Sequence, residues 1–265
     1  MRKLGIILGI TFVALTGFYI FTNYSKNEFK ETDLYDEIMQ RGKLRVGINT
    51  DSKPFGYLDK NGKPIGYDID LAKYIAQAIV HSSDNLELVQ VTHSNRLIKA
   101  ATRDVDIVIS TITITPNREE IVSFSKPYDV AGQAILVRSN SRISSISDLS
   151  GQTVGVIFGT TAEKNMSKLV PNARLRGFKS YANAYKALNS GKIDAITSDD
   201  TILNGFAIDD PSVKLLPKRY SREPYGIAFK KGKTTEKLRE NLNFAIDDLI
   251  QKNVIHRLRK KWNIS

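Results

Sequence analysis

The chain has 265 residues, 41% of them apolar and 25% charged. That suffices for the core of one large or two small domains and is too apolar for a disordered chain. It holds no cysteine, which excludes disulfides, thiolate metal sites, cysteine nucleophiles and thiol-linked lipids. Thirty-nine Lys and Arg against 28 Asp and Glu give a formal charge of +11. Nucleic acid, an anionic membrane surface and a small carboxylate are therefore the partners to weigh.

Met1-Arg2-Lys3 precedes an uncharged run from Leu4 to Tyr24, ending before Lys26. This is about the length that crosses a hydrocarbon core as a helix, and it also has the charged and apolar regions of an export signal. Arg2 and Lys3 hold the N-terminus inside and send the rest of the chain out. Leu15-Thr16-Gly17-Phe18 resembles a lipoprotein processing box with Phe18 in place of the modified cysteine. An uncleaved anchor over residues 1–25 is thus favoured over cleavage near Asn23–Ser25, and export follows either way. Residues 26–42 read as a linker with a short helical lead-in at Leu34–Ile38, and the globular body starts at Lys43.

The body repeats itself. Lys43-Leu-Arg-Val-Gly-Ile and Thr153-Val-Gly-Val-Ile-Phe are short apolar strand signals, each after a glycine. Further on, Lys99 to Ser110 and Lys186 to Ser198 each end a helix, turn, place an aspartate (Asp106, Asp194) and enter a strand. This alternation predicts two α/β halves with parallel strands. Asp68 to Val80 has helical apolar spacing with aspartates in its first turn. Asn61-Gly62 marks a hairpin turn, and Thr235 to Trp262 supplies one or two C-terminal helices.

Three strand exits suit a small charged molecule. Ser110 to Glu120 leaves a strand and enters a helix, with Thr115 at the N-cap, Pro116 at N1 and Arg118 in the first turn. Hydroxyls, free N–H groups and a guanidinium there suit a carboxylate. Phe158-Gly-Thr-Thr-Ala-Glu163 is a second strand exit, with Thr160 and Glu163 at capping-box spacing. The third, Ser198-Asp199-Asp200-Thr201, offers a carboxylate to an ammonium group at a strand's carboxyl end. Alone, the first and third read better as ordinary helix starts and the second reads equally well as one. Together, in two halves, they offer anion donors facing one cation acceptor, which a zwitterion needs once both charges leave water.

At these residues the chain resembles family 3 solute-binding proteins of amino-acid ABC importers, from Lys43 to the C-terminus. The motifs are Ser110-Thr-Ile-Thr-Ile-Thr-Pro-Asn-Arg118, Phe124-Ser-Lys-Pro-Tyr128, Gly159-Thr-Thr161, Asp199-Asp200, Glu223-Pro-Tyr-Gly-Ile-Ala228 and Gly66-Tyr-Asp-Ile-Asp-Leu-Ala72. The resemblance implies a two-lobed periplasmic-binding-protein-like (type II) α/β clamp with two hinge strands, lobe one at 43–129 plus 225–265 and lobe two at 133–221. It implies Arg118 on the ligand α-carboxylate with Thr113 and Thr161, Thr111 near the α-amino group, and Asp199 as its counter-charge. Val91-Thr-His-Ser-Asn-Arg96 resembles the acidic-ligand branch, where Arg96 meets a side-chain carboxylate, so glutamate or aspartate is expected first. Ser52, Ser94 and Asn49 depart from the pattern of aromatic and lysine residues common in related branches and keep glutamine open. A membrane permease with its ATPase is the implied partner, and no cofactor is.

Two other classes compete. A cyclohexadienyl- or arogenate-type dehydratase on this fold needs a cleft acid or base, yet His81, His93 and His256 do not cluster. Nucleic-acid binding rests on net charge and on His256 to Trp262, an amphipathic helix whose basic face is expected to be solvated. Binding without catalysis is therefore the expectation, and metal-ligand spacing and phosphate loops are absent from the sequence.

Overall fold

The computed structural model describes residues 32–264, so residues 1–31, which carry the anchor reading, lie outside the described residues. Among the described residues no helix is long and apolar enough to cross a membrane.

Helix α1 (Leu34–Arg41) precedes strand β1 (Leu44–Ile48). Leu34 and Ile38 are buried in the core, so the compact body begins at Leu34, within the segment read as linker. The one apolar face of a two-turn helix is enough to recruit it. Strands β2 (Asp51–Ser52), β3 (Gly56–Leu58) and β4 (Pro64–Ile65) form a small antiparallel sheet, its last turn closed by Asn61-Gly62. Helix α2 (Tyr67–Val80), β5 (Leu86–Gln90), α3 (Arg96–Ala101), β6 (Ile107–Val108), α4 (Pro116–Glu119) and β7 (Val122–Ala131) follow.

The chain then crosses at Gly132 into the second lobe. This comprises β8 (Gln133–Arg138), β9 (Thr153–Ile157), α5 (Thr161–Leu169), β10 (Arg174–Phe178), α6 (Tyr181–Asn189), β11 (Ala195–Asp199), α7 (Asp200–Ala207) and β12 (Val213–Leu215). It returns through β13 (Glu223–Lys230) to α8 (Glu236–Gln251) and α9 (Val254–Lys261). The sheets run β5-β1-β6-β13-β7 and β10-β9-β11-β8-β12, the two-lobed α/β fold expected. β1 and β9 lie at equivalent positions, each between two parallel neighbours, and both read as nearly continuous apolar runs because both faces are covered.

The repeated aspartates do the same work in each half. The Arg45 N–H donates to Asp106 Oδ2 and the Thr153 N–H to Asp194 Oδ2, both at 2.8 Å. The Asp106 and Asp194 N–H groups return bonds to the Arg45 and Thr153 carbonyls. Each aspartate thus ties the start of one parallel strand to the start of the next, fixing register.

The two connections between lobes run side by side. β7 and β13 pair antiparallel from Glu223 opposite Ala131, and Asp200 accepts from the Gly132 N–H at 3.1 Å and from Arg219 at 2.7 Å. The basic run at the C-terminus forms α9, with Val254 and Leu258 buried; its basic face is not simply solvated, because Arg259 pairs with the buried Asp129 and Lys261 with Asp70 at 2.6 Å.

Candidate functional site

The carboxyl ends of strands from both sheets meet at the seam between the lobes. Thr115 caps α4, accepting from the Arg118 N–H at 3.4 Å, with Pro116 at the first position. This junction turns Arg118 inward: its Nη1 donates to Thr113 O at 2.8 Å and its Nη2 crosses to Gly159 O of the second lobe at 3.0 Å. Arg96, which opens α3, is 2% exposed. It donates to the Ser110 carbonyl and reaches Thr111 O at 3.4 Å and Gly159 O at 3.5 Å. Among the described residues neither guanidinium forms an ion pair; both are held by main-chain carbonyls. Burial, then the neighbouring Arg96 charge, lowers the Arg118 pKa to about 10.

Opposite them stands Asp199, the last residue of β11 and the residue preceding α7. Its side chain does not cap the helix. It accepts from Tyr225 Oη at 2.5 Å, and Tyr225, on β13, bridges to Thr113. Burial raises Asp199 to about 7 against the opposing effect of the Tyr225 hydrogen bond. Thr161 lies beside this group, but its hydroxyl donates to Glu223 Oε2 at 3.0 Å. Asn165 and Ser221 complete the Glu223 carboxylate at 3.1 and 2.6 Å. The spacing of Thr160 and Glu163 does not produce a capping box, because Thr160 Oγ1 donates back to Ile157 O at 2.8 Å.

Thr111 sits at φ 45°, a left-handed conformation that costs a β-branched residue roughly 1–3 kcal/mol. Two groups hold it there: its N–H donates to Asp68 Oδ2 at 3.1 Å and to Tyr128 Oη at 3.2 Å, while Tyr128 donates to Asp68 Oδ1 at 3.1 Å. This backbone turn carries the Ser110 and Thr111 carbonyls that accept from Arg96.

On the far side of Arg96, His93 is 4% exposed. Its Nε2 lies 3.1 Å from Ser52 Oγ and 3.3 Å from Asp51 Oδ1, and its ring stands edge-on to Tyr181 of the second lobe at 5.2 Å. Serine and aspartate both address one ring nitrogen, so this is not a nucleophilic relay, which needs them on opposite nitrogens. The same loop seats the lobes on one another. Asp51 Oδ2 accepts from the Tyr181 N–H at the start of α6 at 3.1 Å, Lys53 pairs with Asp209, and Gly205 of α7 lies against Lys53 O.

The structure therefore gathers Arg118, Arg96, Thr113, Thr111 and Asp199 around Tyr225 and Gly159, and turns Thr161 toward Glu223. Tyr225, Glu223 and Asp68 lie inside motifs visible in the sequence but carried no assigned role there. His93 stood out only by its place in the chain.

Residues 44–265 match the family described as bacterial extracellular solute-binding proteins, family 3, and the chain belongs to it. A glutamine-binding protein from Geobacillus stearothermophilus is 39% identical over 74% of this chain and 76% of its own length. The ABC transporter glutamine-binding protein GlnH of Bacillus subtilis is 33% identical over 91% of this chain and 88% of its own. Among solved structures, a mutant of ArgBP from T. maritima superposes with a TM-score of 0.80 at 35% identity, covering 88% of this chain and all of that one; ArgBP has also been solved arginine-bound. All three are named as binding proteins, and this chain is a solute-binding protein rather than an enzyme.

Proposed function

We propose that the protein captures a free amino acid between its lobes and hands it to a membrane permease powered by an ATPase. The ligand α-carboxylate lies on Arg118 with help from Thr113, its ammonium on Asp199 with Thr111 nearby, and its side chain ends at Arg96. The observation that carries this reading is the pair of buried guanidiniums facing a buried carboxylate across one seam, with no ion pair to any of the three among the described residues. Buried charges of this kind are costly until paired.

Arg96 also bears on the side chain. A ligand ending in a cation would meet two guanidiniums at close range, which argues against arginine although ArgBP shares the fold. A side-chain carbonyl or carboxylate oxygen is the complement to Arg96. The names of the relatives favour glutamine. Glutamate is the second reading, supported by the absence of an ion pair at Arg96 among the described residues. Isothermal titration against the twenty amino acids tests both: glutamine or glutamate binds tightest, whereas binding of a basic or aliphatic amino acid ahead of both contradicts the proposal.

The acid side adds a pH dependence. Asp199, at about 7 without ligand, must be ionised to hold an ammonium, so the complex carries fewer protons than the free protein. Affinity therefore falls as pH drops below about 7, by up to ~10-fold per pH unit. Titration calorimetry in two buffers of different ionisation enthalpy checks this through proton release at pH 6. Equal heats in both buffers contradict it.

A further inference from the structure

His93 is a buried polar side chain at the seam with no part in the capture just described. The groups facing its ring are Asp51 and Ser52 on β2, Arg96 on α3, Arg118 on α4 and Tyr181 on α6, and Lys179 lines the same 180 Å³ cavity. Ser52 Oγ donates to Asp51 Oδ1 at 3.4 Å, so both oxygens near Nε2 present lone pairs to it. Neutral His93 is thereby fixed with its proton on Nε2. Nδ1 is then an acceptor, and it is buried with no hydrogen-bond partner, as is the neighbouring Arg96 Nε donor. A buried acceptor beside a buried donor is the complement of a primary amide, whose oxygen accepts and whose nitrogen donates.

We propose that His93 reads the end of the ligand side chain: neutral, it accepts from the amide nitrogen of glutamine while Arg96 donates to the amide oxygen; protonated, it donates instead and admits glutamate. The assignment rests on the reading of the seam as an amino-acid site. Its chemistry is that of sites built around one hydrogen-bond pattern, which reject the analogue that leaves a buried group unpaired. Burial lowers the His93 pKa below its ordinary value, the Asp51 hydrogen bond opposes this, and Arg96 adds to the lowering. The protein is therefore a glutamine binder at neutral pH and turns toward glutamate only on acidification.

The test is the ratio of glutamate to glutamine Kd for the full chain between pH 8 and 5.5, where the glutamate side chain stays ionised. Taking a ratio cancels the Asp199 contribution, which both ligands share. In the wild type the ratio is well above one at pH 8 and falls by about fivefold or more toward pH 5.5. His93→Leu removes the acceptor, bringing the ratio at pH 8 toward one and flattening its pH profile. His93→Gln, which can both accept and donate but cannot titrate, gives a ratio that does not change with pH and carries the test if the leucine variant does not fold. A wild-type ratio that is flat with pH, or a His93→Gln profile that still slopes, overturns the role of His93 and leaves the seam reading standing. Failure of both ligands to bind at any pH overturns the seam reading and this proposal with it.

Discussion

Arg118→Ala weakens binding of every amino acid by about 30-fold to several thousand-fold, the 2–5 kcal/mol lost when one partner of a buried charge pair is truncated. The loss is uniform because Arg118 serves the part that all amino acids share. Arg96→Ala, by contrast, penalises glutamine and glutamate more than alanine. Arg118→Ala has a second signature of opposite sign. Without ligand, two guanidiniums lie buried beside each other and Arg96 lowers the Arg118 pKa, so removing Arg118 relieves repulsion and desolvation. The unliganded variant melts at or above the wild-type temperature while binding collapses, a trade-off typical of sites built for function. Calorimetry with glutamine, glutamate and alanine, together with thermal unfolding, checks both halves. A variant that loses stability and keeps affinity contradicts the assignment.

Gly205→Ala weakens binding by about 5- to 150-fold although the residue is remote from Arg118 and Arg96 in the sequence and carries no polar side chain. Gly205 lies inside α7, where glycine costs about 0.5–1 kcal/mol relative to alanine, so local propensity argues for its replacement. The approach of the lobes explains the glycine: a Cβ there would stand 2.6 Å from Lys53 O and 3.1 Å from Lys53 C, on the opposite lobe. An overlap of that kind costs roughly 1–3 kcal/mol, charged only to the closed state. The open protein gains helix propensity and the closed protein pays for the clash. Because a ligand shifts a two-state equilibrium only by its differential affinity, the penalty appears as lost affinity. Small-angle scattering with saturating glutamine finds the variant more extended than the wild type, with an unchanged or higher melting temperature without ligand. Wild-type affinity in Gly205→Ala shows that the lobes need not meet at Lys53.

Much of this arrangement is legible in the sequence because it is local. Thr115-Pro116 announces a capped helix start that aims Arg118, and the paired Asp106 and Asp194 announce a duplicated strand-helix unit. The Asn61-Gly62 turn likewise needs only its neighbours. The illegible parts depend on distant partners. Nothing near Asp199 says that its side chain will take the Tyr225 hydroxyl rather than cap its own helix. Nothing near Thr161 says that its hydroxyl will turn to Glu223, 62 residues away. The helix at Leu34–Ile38 is legible as a short lead-in, but its place in the body is not, because burial of Leu34 and Ile38 against distant partners decides that. His93 gains meaning only when Asp51 and Ser52, some forty residues earlier, fix its proton.

A crystal structure with glutamine bound tests the central claim most directly. The account predicts one ligand at the seam, its α-carboxylate on the Arg118 guanidinium, its ammonium within hydrogen-bond distance of Asp199, and its side-chain oxygen on Arg96. A ligand seated elsewhere, or Arg118 and Asp199 directed away from it, contradicts the account.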